Sequence, residues 1–146
     1  MFRQVSNYSI VGVMLVDPNT FTKGVVTYGL ESVRVWRVDG EKGLIRGTSV
    51  YMGQAVRKVK YTAGVGVGGG VVLVADSEGF VTAVSGGEGK MLRSMRVTEG
   101  GIDAMVRLGD GRVMVGTAAG GIKVVSGEDL SVIEEFNLQS RVLHIK

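Results

Sequence analysis

One stretch of the sequence has the spacing of a phosphate-binding loop. The pattern G-x-G-x-x-G is matched by Gly64-Val65-Gly66-Val67-Gly68-Gly69. A dinucleotide site of this kind also needs a helix that opens on the last glycine and an acidic residue about 20 residues further on. Here the β-branched run Val71–Val74 follows, and Asp76 comes seven residues after Gly69. We therefore interpret the segment as a long flexible loop between two strands.

The carboxylates and the histidine offer no catalytic arrangement. Two acidic pairs, Glu128-Asp129 and Glu134-Glu135, are predicted to be solvated, because neighbours in a strand point to opposite faces. Oxygen ligands for a cation could come from Asp76-Ser77-Glu78-Gly79, but these residue types are those of a tight turn. His144 is the only histidine and no cysteine is present, which excludes His-based triads and Cys-ligated metals. We expect no enzyme activity, no metal and no cofactor.

The basic residues are the remaining candidates for a functional role. The net charge of +3 is a mild excess that would help an acidic partner to approach. Two interpretations stay open: charges dispersed over a solvated sheet, or a basic surface that meets an acidic protein or a nucleic-acid backbone. The candidate partner-binding residues are Arg34, Arg37, Arg57, Lys58 and Lys60, with Arg93 and Arg96 on an outer strand.

The elements that would position these residues are strands. Glycine supplies 24 of 146 residues, and a chain rich in glycine and valine favours strands and tight turns over helices. The apolar stretch Ile10–Val16 is predicted to be a strand rather than a signal peptide, because no small-residue cleavage site follows it. The absence of cysteine fits a reducing compartment. We expect an all-β domain.

Two landmarks recur at intervals of 40 to 48 residues. One is an apolar-x-x-apolar-x-apolar pattern, predicted to be an innermost strand, whose copies begin at Val11, Val56, Ile102 and Val142. The other is a β-rich pentapeptide before a turn, whose copies end at Trp36, Val84 and Val125. Four strands in each such period are typical of one blade of a β-propeller. The residues expected to pack between blades are Trp36, Val84, Val125, Val59 and Met105.

These landmarks resemble the WD-repeat β-propellers. The pentapeptide Ser32-Val33-Arg34-Val35-Trp36 resembles the third strand of a WD repeat, and Gly109-Asp110-Gly111 resembles the turn after its innermost strand. The sequence departs from the family at Arg37, where the usual Asp is missing, and at Val84 and Val125, which replace the tryptophan. No Gly-His pair precedes an innermost strand, so the buried hydrogen-bond network of orthodox repeats is not expected. Apolar packing must then hold the blades together.

A narrower group is also similar. The segments VVTYGLESVRVWRVDG (Val25–Gly40) and EGGIDAMVRLGDGRVMVG (Glu99–Gly116) resemble propellers of the echinoderm microtubule-associated protein-like group and its centriolar and ciliary relatives. This resemblance implies a non-enzymatic scaffold in a microtubule-associated assembly, with tubulin among its partners and a location in the cytoplasm, cytoskeleton or cilium. The alternative is an RNA-associated propeller subunit of a ribonucleoprotein complex. No contact with a membrane is expected.

The number of repeats raises the question of ring closure. Blades are predicted at about 8–52, 53–99 and 100–140, with the start of a fourth at 141–146. Propellers have roughly four to eight blades. We therefore expect a partial propeller that is a piece of a longer one or is completed by another chain. The outer face of its first blade, expected to carry Val11, Met14 and Trp36, would be covered by other polypeptide.

Overall fold

The computed structural model describes residues 10–16, 24–39, 44–51 and 59–137. These residues form twelve β-strands and no helix, so none of them belongs to a helix that could cross a membrane. The strands are β1 (Ile10–Leu15), β2 (Val25–Gly29), β3 (Ser32–Asp39), β4 (Leu44–Ser49), β5 (Tyr61–Gly68), β6 (Val71–Asp76), β7 (Phe80–Ser85), β8 (Lys90–Arg96), β9 (Ile102–Arg107), β10 (Arg112–Thr117), β11 (Gly121–Ser126) and β12 (Val132–Asn137).

The strands form three antiparallel sheets of four strands each, in the order in which they follow along the chain. The first sheet holds β1–β4, the second β5–β8 and the third β9–β12. The first strands of the sheets contact one another, β1 with β5 and β5 with β9, so the second sheet lies between the other two. The all-β prediction is confirmed, and each described sheet lies within one predicted blade. The predicted start of a fourth blade, at 141–146, lies outside the described residues.

Two apolar layers hold the sheets together. The layer between the first and second sheets contains Val26 and Val35 on one side and Val72 and Val84 on the other. The layer between the second and third sheets is built around Leu73, Val81, Ile102, Val113 and Val125. Because both faces of the second sheet are covered, the central residues of β6 and β7 are buried without alternation, and β6 is an apolar run from Val71 to Ala75.

A buried polar side chain closes the β6–β7 turn. Asp76, 1% exposed, accepts hydrogen bonds at Oδ1 from the backbone N–H groups of Glu78 (2.9 Å) and Phe80 (3.1 Å). In the third sheet Thr117 has the equivalent position, and its Oγ1 accepts a hydrogen bond of 3.0 Å from the N–H of Gly121. The segment from Asp76 to Gly79 is therefore a turn, as the sequence predicts.

The glycine run is a strand, and the predicted loop is wrong. The residues from Gly64 to Gly68 belong to β5, which pairs with β6, and only Gly69 and Gly70 form the turn between them. Gly64 and Gly66 face the first sheet at close range. A Cβ at Gly64 would lie 2.6 Å from Met14 Cε, and one at Gly66 would lie 3.4 Å from the Leu15 carbonyl oxygen. Glycine here permits the close approach of two sheets rather than a flexible loop.

The innermost strand of the second sheet therefore lies further along the chain than the apolar pattern predicts. The pattern places it around Val56, Val59 and Tyr61, but β5 runs from Tyr61 to Gly68. Val59 precedes β5 and is buried in the layer between the first and second sheets. Val56 lies outside the described residues.

Candidate interaction surface

The face of the first sheet that points away from the second sheet carries most of the candidate residues. The pairing of β2 with β3 sets Val26 opposite Val35, and both are buried against the second sheet. Successive residues of a strand point to opposite faces, so their neighbours point outward. The outward residues define the first-sheet outer face: Val13, Leu15, Val25, Thr27, Arg34 and Trp36.

Trp36 is fixed on this face by three neighbours. Its Nε1 donates a hydrogen bond of 2.9 Å to Thr27 Oγ1. The ring extends over Gly47 on β4, where a Cβ would lie 2.6 Å from Trp36 Cζ3. The guanidinium carbon of Arg34 lies 5.5 Å from the ring centroid, within the range of a cation–π contact. The indole is half-buried and is held in one orientation.

The equivalent faces of the other two sheets are covered. The pair of Val25 and Trp36 corresponds to Val72 and Val84 in the second sheet and to Val113 and Val125 in the third. Val84 and Val125 are 0% exposed, each packed against the preceding sheet. On the first sheet, by contrast, Val13 is 63% and Leu15 is 39% exposed. The first-sheet outer face is thus a blade-packing surface without a described blade against it.

One expectation about this surface stays untested and one needs correction. Trp36 is expected to pack between blades, and it lies at the position that Val84 and Val125 have in the other sheets, but no described sheet lies against its face, so this stays a prediction. Met14 is expected on the outer face, but it lies on the opposite one and packs against the second sheet. The other expected packing residues, Val59, Val84, Met105 and Val125, are buried in the two apolar layers.

At the other end of the arc lies a second face without a described sheet against it, although Val124 on this face is only 3% exposed. On the third sheet, Val113 and Val125 face the second sheet, so the intervening residues face away from it. Phe136, on β12 opposite Ile122, is 50% exposed. This third-sheet outer face consists of Ala104, Val106, Arg112, Met114, Ile122, Val124, Glu134 and Phe136.

The candidate basic residues do not come together. Arg34 lies over Trp36 on the first-sheet outer face, whereas Arg37 points to the opposite side and donates to the Gly87 carbonyl in the second sheet. Lys60 is exposed before β5, where its backbone bridges Leu30. Arg57 and Lys58 lie outside the described residues. The three described residues therefore occupy three separate places.

Several other basic side chains bind within the fold. Arg96 Nη2 donates to the Glu99 carbonyl (2.8 Å), and Lys123 Nζ donates to the Val97 carbonyl (2.7 Å). Arg112 Nε donates to both carboxylate oxygens of Asp110, and this hydrogen bond lowers the pKa of that carboxyl from its usual value. Asp110 is thus an exposed partner of Arg112 rather than part of a buried network. Basic residues used in this way are less available to an acidic partner.

The described residues hold no group of three or more His, Asp or Glu side chains that could bind a metal ion. Burial raises the pKa of the Tyr28 phenol, which lies between the first and second sheets. Sequence reasoning named Val11 on this face but missed Leu15, which is 39% exposed, and Val13, which is 63% exposed. The signal was present, since Val11, Val13 and Leu15 keep β1 apolar on the side opposite Met14.

Two solved structures share this arrangement of sheets. The WD40 β-propeller domain of Doa1 superposes with a TM-score of 0.71 at 16% sequence identity, and U3-55K with a TM-score of 0.75 at 11%. The chain has the fold of part of a WD40 β-propeller. Both matches cover 94% of this chain but only 43% and 42% of the two proteins, so it spans less than half the length of these propellers.

The comparisons by sequence add no relative. No protein-family model matches the sequence, and no curated protein matches it. At identities of 16% and 11% the structural likeness shows the fold alone. The narrower resemblance to the echinoderm microtubule-associated protein-like group has no support from these comparisons.

Proposed function

We propose that this protein is a non-enzymatic scaffold for protein–protein interaction and that its first-sheet outer face is a docking surface. The observation that carries this proposal is the contrast between equivalent positions. The equivalent faces of the second and third sheets are buried inside the chain. The first-sheet outer face, by contrast, exposes Val13 and Leu15 beside a half-buried Trp36. Large exposed apolar patches with polar neighbours mark interaction sites.

The rigidity of the surface favours tight docking. β1, β2, β3 and β4 are paired along their lengths, and the Trp36 ring is held by Thr27, Arg34 and Gly47. Because this face is already ordered, it loses little conformational entropy when a partner binds. Covering about 200 Å² of its apolar surface would contribute about 5 kcal/mol at ~25 cal/mol per Å².

The finer setting that we propose is a microtubule-based assembly of the cytoplasm, cytoskeleton or cilium. Its support is the resemblance of Val25–Gly40 and Glu99–Gly116 to propellers of that group. The alternative is an RNA-associated propeller of a ribonucleoprotein complex, for which exposed Lys60 and Arg93 would supply phosphate contacts. Co-sedimentation with microtubules and filter binding to RNA, both at physiological salt, separate the two. Binding to RNA alone would contradict the microtubule setting.

The docking surface is tested with the dye ANS, which binds exposed apolar surface. The double variant Val13→Glu, Leu15→Glu should bind much less dye than the unmodified chain at a dilution where light scattering gives the monomer mass. Leu30→Glu is the matched control, because Leu30 is similarly exposed but lies in the β2–β3 turn. Equal dye binding by the double variant and the unmodified chain would refute the docking surface.

A further inference from the structure

We propose that the occupant of the first-sheet outer face is the third-sheet outer face of a second copy of this chain. Two copies would then form a six-sheet ring through two identical contacts. This inference rests on the proposed function and names the partner of the same surface.

The proposed contact repeats one that the chain makes twice within itself. The first sheet contacts the second through the face that carries Val26 and Val35. The second sheet contacts the third through the face that carries Leu73 and Ala83. The third-sheet outer face presents the equivalent pair, Met114 and Val124. The two faces without a described sheet against them are therefore the two complementary halves of one kind of interface.

Arg34 provides a second, independent observation. The equivalent residue in the third sheet is Lys123, whose Nζ donates 2.7 Å across the interface to the Val97 carbonyl at the end of β8. Arg34 Nε is buried, yet it has no hydrogen-bond partner within the described part of the chain. A buried donor without an acceptor costs free energy. A preceding sheet would present a backbone carbonyl to Arg34 as the second sheet does to Lys123.

The number of sheets agrees with a ring of two copies. Three described sheets from each copy make six, within the roughly four to eight blades of closed propellers. A head-to-tail contact between unlike faces leads to a closed ring when its rotation closes.

The test is a complementation experiment on the full chain, read as mass by light scattering over a range of concentrations. The unmodified chain should double its mass as concentration rises. The first-face variant Val13→Glu, Leu15→Glu and the third-face variant Phe136→Glu should each stay monomeric. Mixed in equal amounts, they should form a dimer at a higher concentration than the unmodified chain, because the contact between their two unmodified faces is restored while the second contact carries both changes. Val132→Glu is the matched control, since Val132 is 39% exposed on the same strand but pairs with Val125, which faces the second sheet.

Three results would overturn the inference. One is an unmodified chain that stays monomeric at high concentration. Another is a Phe136→Glu variant that still doubles its mass, which would indicate two identical faces in contact. The third is an equimolar mixture of the two variants that stays monomeric even well above the concentration at which the unmodified chain doubles its mass. If the diluted chain still binds ANS through Val13 and Leu15 in these cases, the docking surface stands and only its occupant is wrong.

Discussion

Gly86, in the turn between β7 and β8, offers a sharp test of how the first and second sheets pack. Gly86 is buried, and its N–H donates a hydrogen bond of 2.8 Å to the Gly70 carbonyl. A Cβ at this position would overlap Val16 Cγ1 and lie 2.7 Å from Cγ2. Val16 is 2% exposed at the end of β1, and its N–H is bonded to the Gly24 carbonyl, so it has little room to move. Alanine at Gly86 should therefore force the sheets apart.

The expected size follows from these contacts. Overpacking a close-packed layer costs about 1–3 kcal/mol, against which replacing a glycine by alanine on a compatible backbone gains about 0.4–1 kcal/mol. Gly86 does not have a positive φ, so the backbone itself accepts alanine. We expect Gly86→Ala to lower the free energy of unfolding by about 1–2 kcal/mol.

The adjacent Gly87 supplies the matched control. Nothing lies within 4 Å of a Cβ built there, and its φ is not positive either. Gly87→Ala should leave stability unchanged or raise it slightly. Val16→Ala removes the two methyl groups that meet the new Cβ, so Gly86→Ala should cost about 1 kcal/mol less in that background.

Urea denaturation followed by circular dichroism, at one fixed protein concentration, measures the unmodified chain, the three single variants and the Gly86→Ala, Val16→Ala double variant. Equal effects of alanine at Gly86 and Gly87 would refute the packing described here. A cycle in which the Gly86 and Val16 changes simply add would refute it as well.

Three further predictions test other parts of the fold. Asp76→Ala removes the acceptor of two backbone N–H groups and should lower the free energy of unfolding by about 1–3 kcal/mol in urea denaturation. Asp110→Ala, at an exposed carboxylate, should leave the midpoint nearly unchanged. Similar losses of stability in the two variants would contradict the turn assignment. Because burial raises the pKa of Tyr28, the phenol of the unfolded chain loses its proton at a lower pH than that of the folded chain, and stability should fall above about pH 10. Tyr28→Phe should reduce this fall. An identical pH profile in the variant would count against the burial of Tyr28. Trp36→Ala should cost the monomer about half of the ~3–5 kcal/mol typical of a fully buried aromatic, since one side of the ring is uncovered; a full-sized loss in the monomer would show that the ring is enclosed.

The spacing of apolar residues predicts the sheets well but the faces poorly. Trp36, Val84 and Val125 recur at one position of the third strand of each sheet, and the period alone locates β3, β7 and β11. The sequence predicts the wrong face for Met14 because β1 is apolar on both sides. Its residues show no alternation of apolar and polar types that would distinguish the two faces of the strand.

The glycine-rich strand and the basic residues show two further limits of the sequence. Gly64 and Gly66 look like a loop because the reason for glycine lies in another sheet, in the approach of Met14 and Leu15 to β5. Arg34 and Arg37 lie three residues apart in the chain, yet they point to opposite sides of β3. Proximity in sequence therefore suggested a basic surface that the described strands do not form.

Trp36 is the only tryptophan of the chain, so its fluorescence reports directly on the first-sheet outer face. The decisive measurement is acrylamide quenching of this fluorescence as a function of protein concentration, with mass followed on the same samples. We predict that quenching weakens and the emission moves to shorter wavelength as the mass doubles, while the Val13→Glu, Leu15→Glu variant stays quenchable throughout. Association that leaves the quenching of Trp36 unchanged would place the contact elsewhere and contradict the docking role of this face.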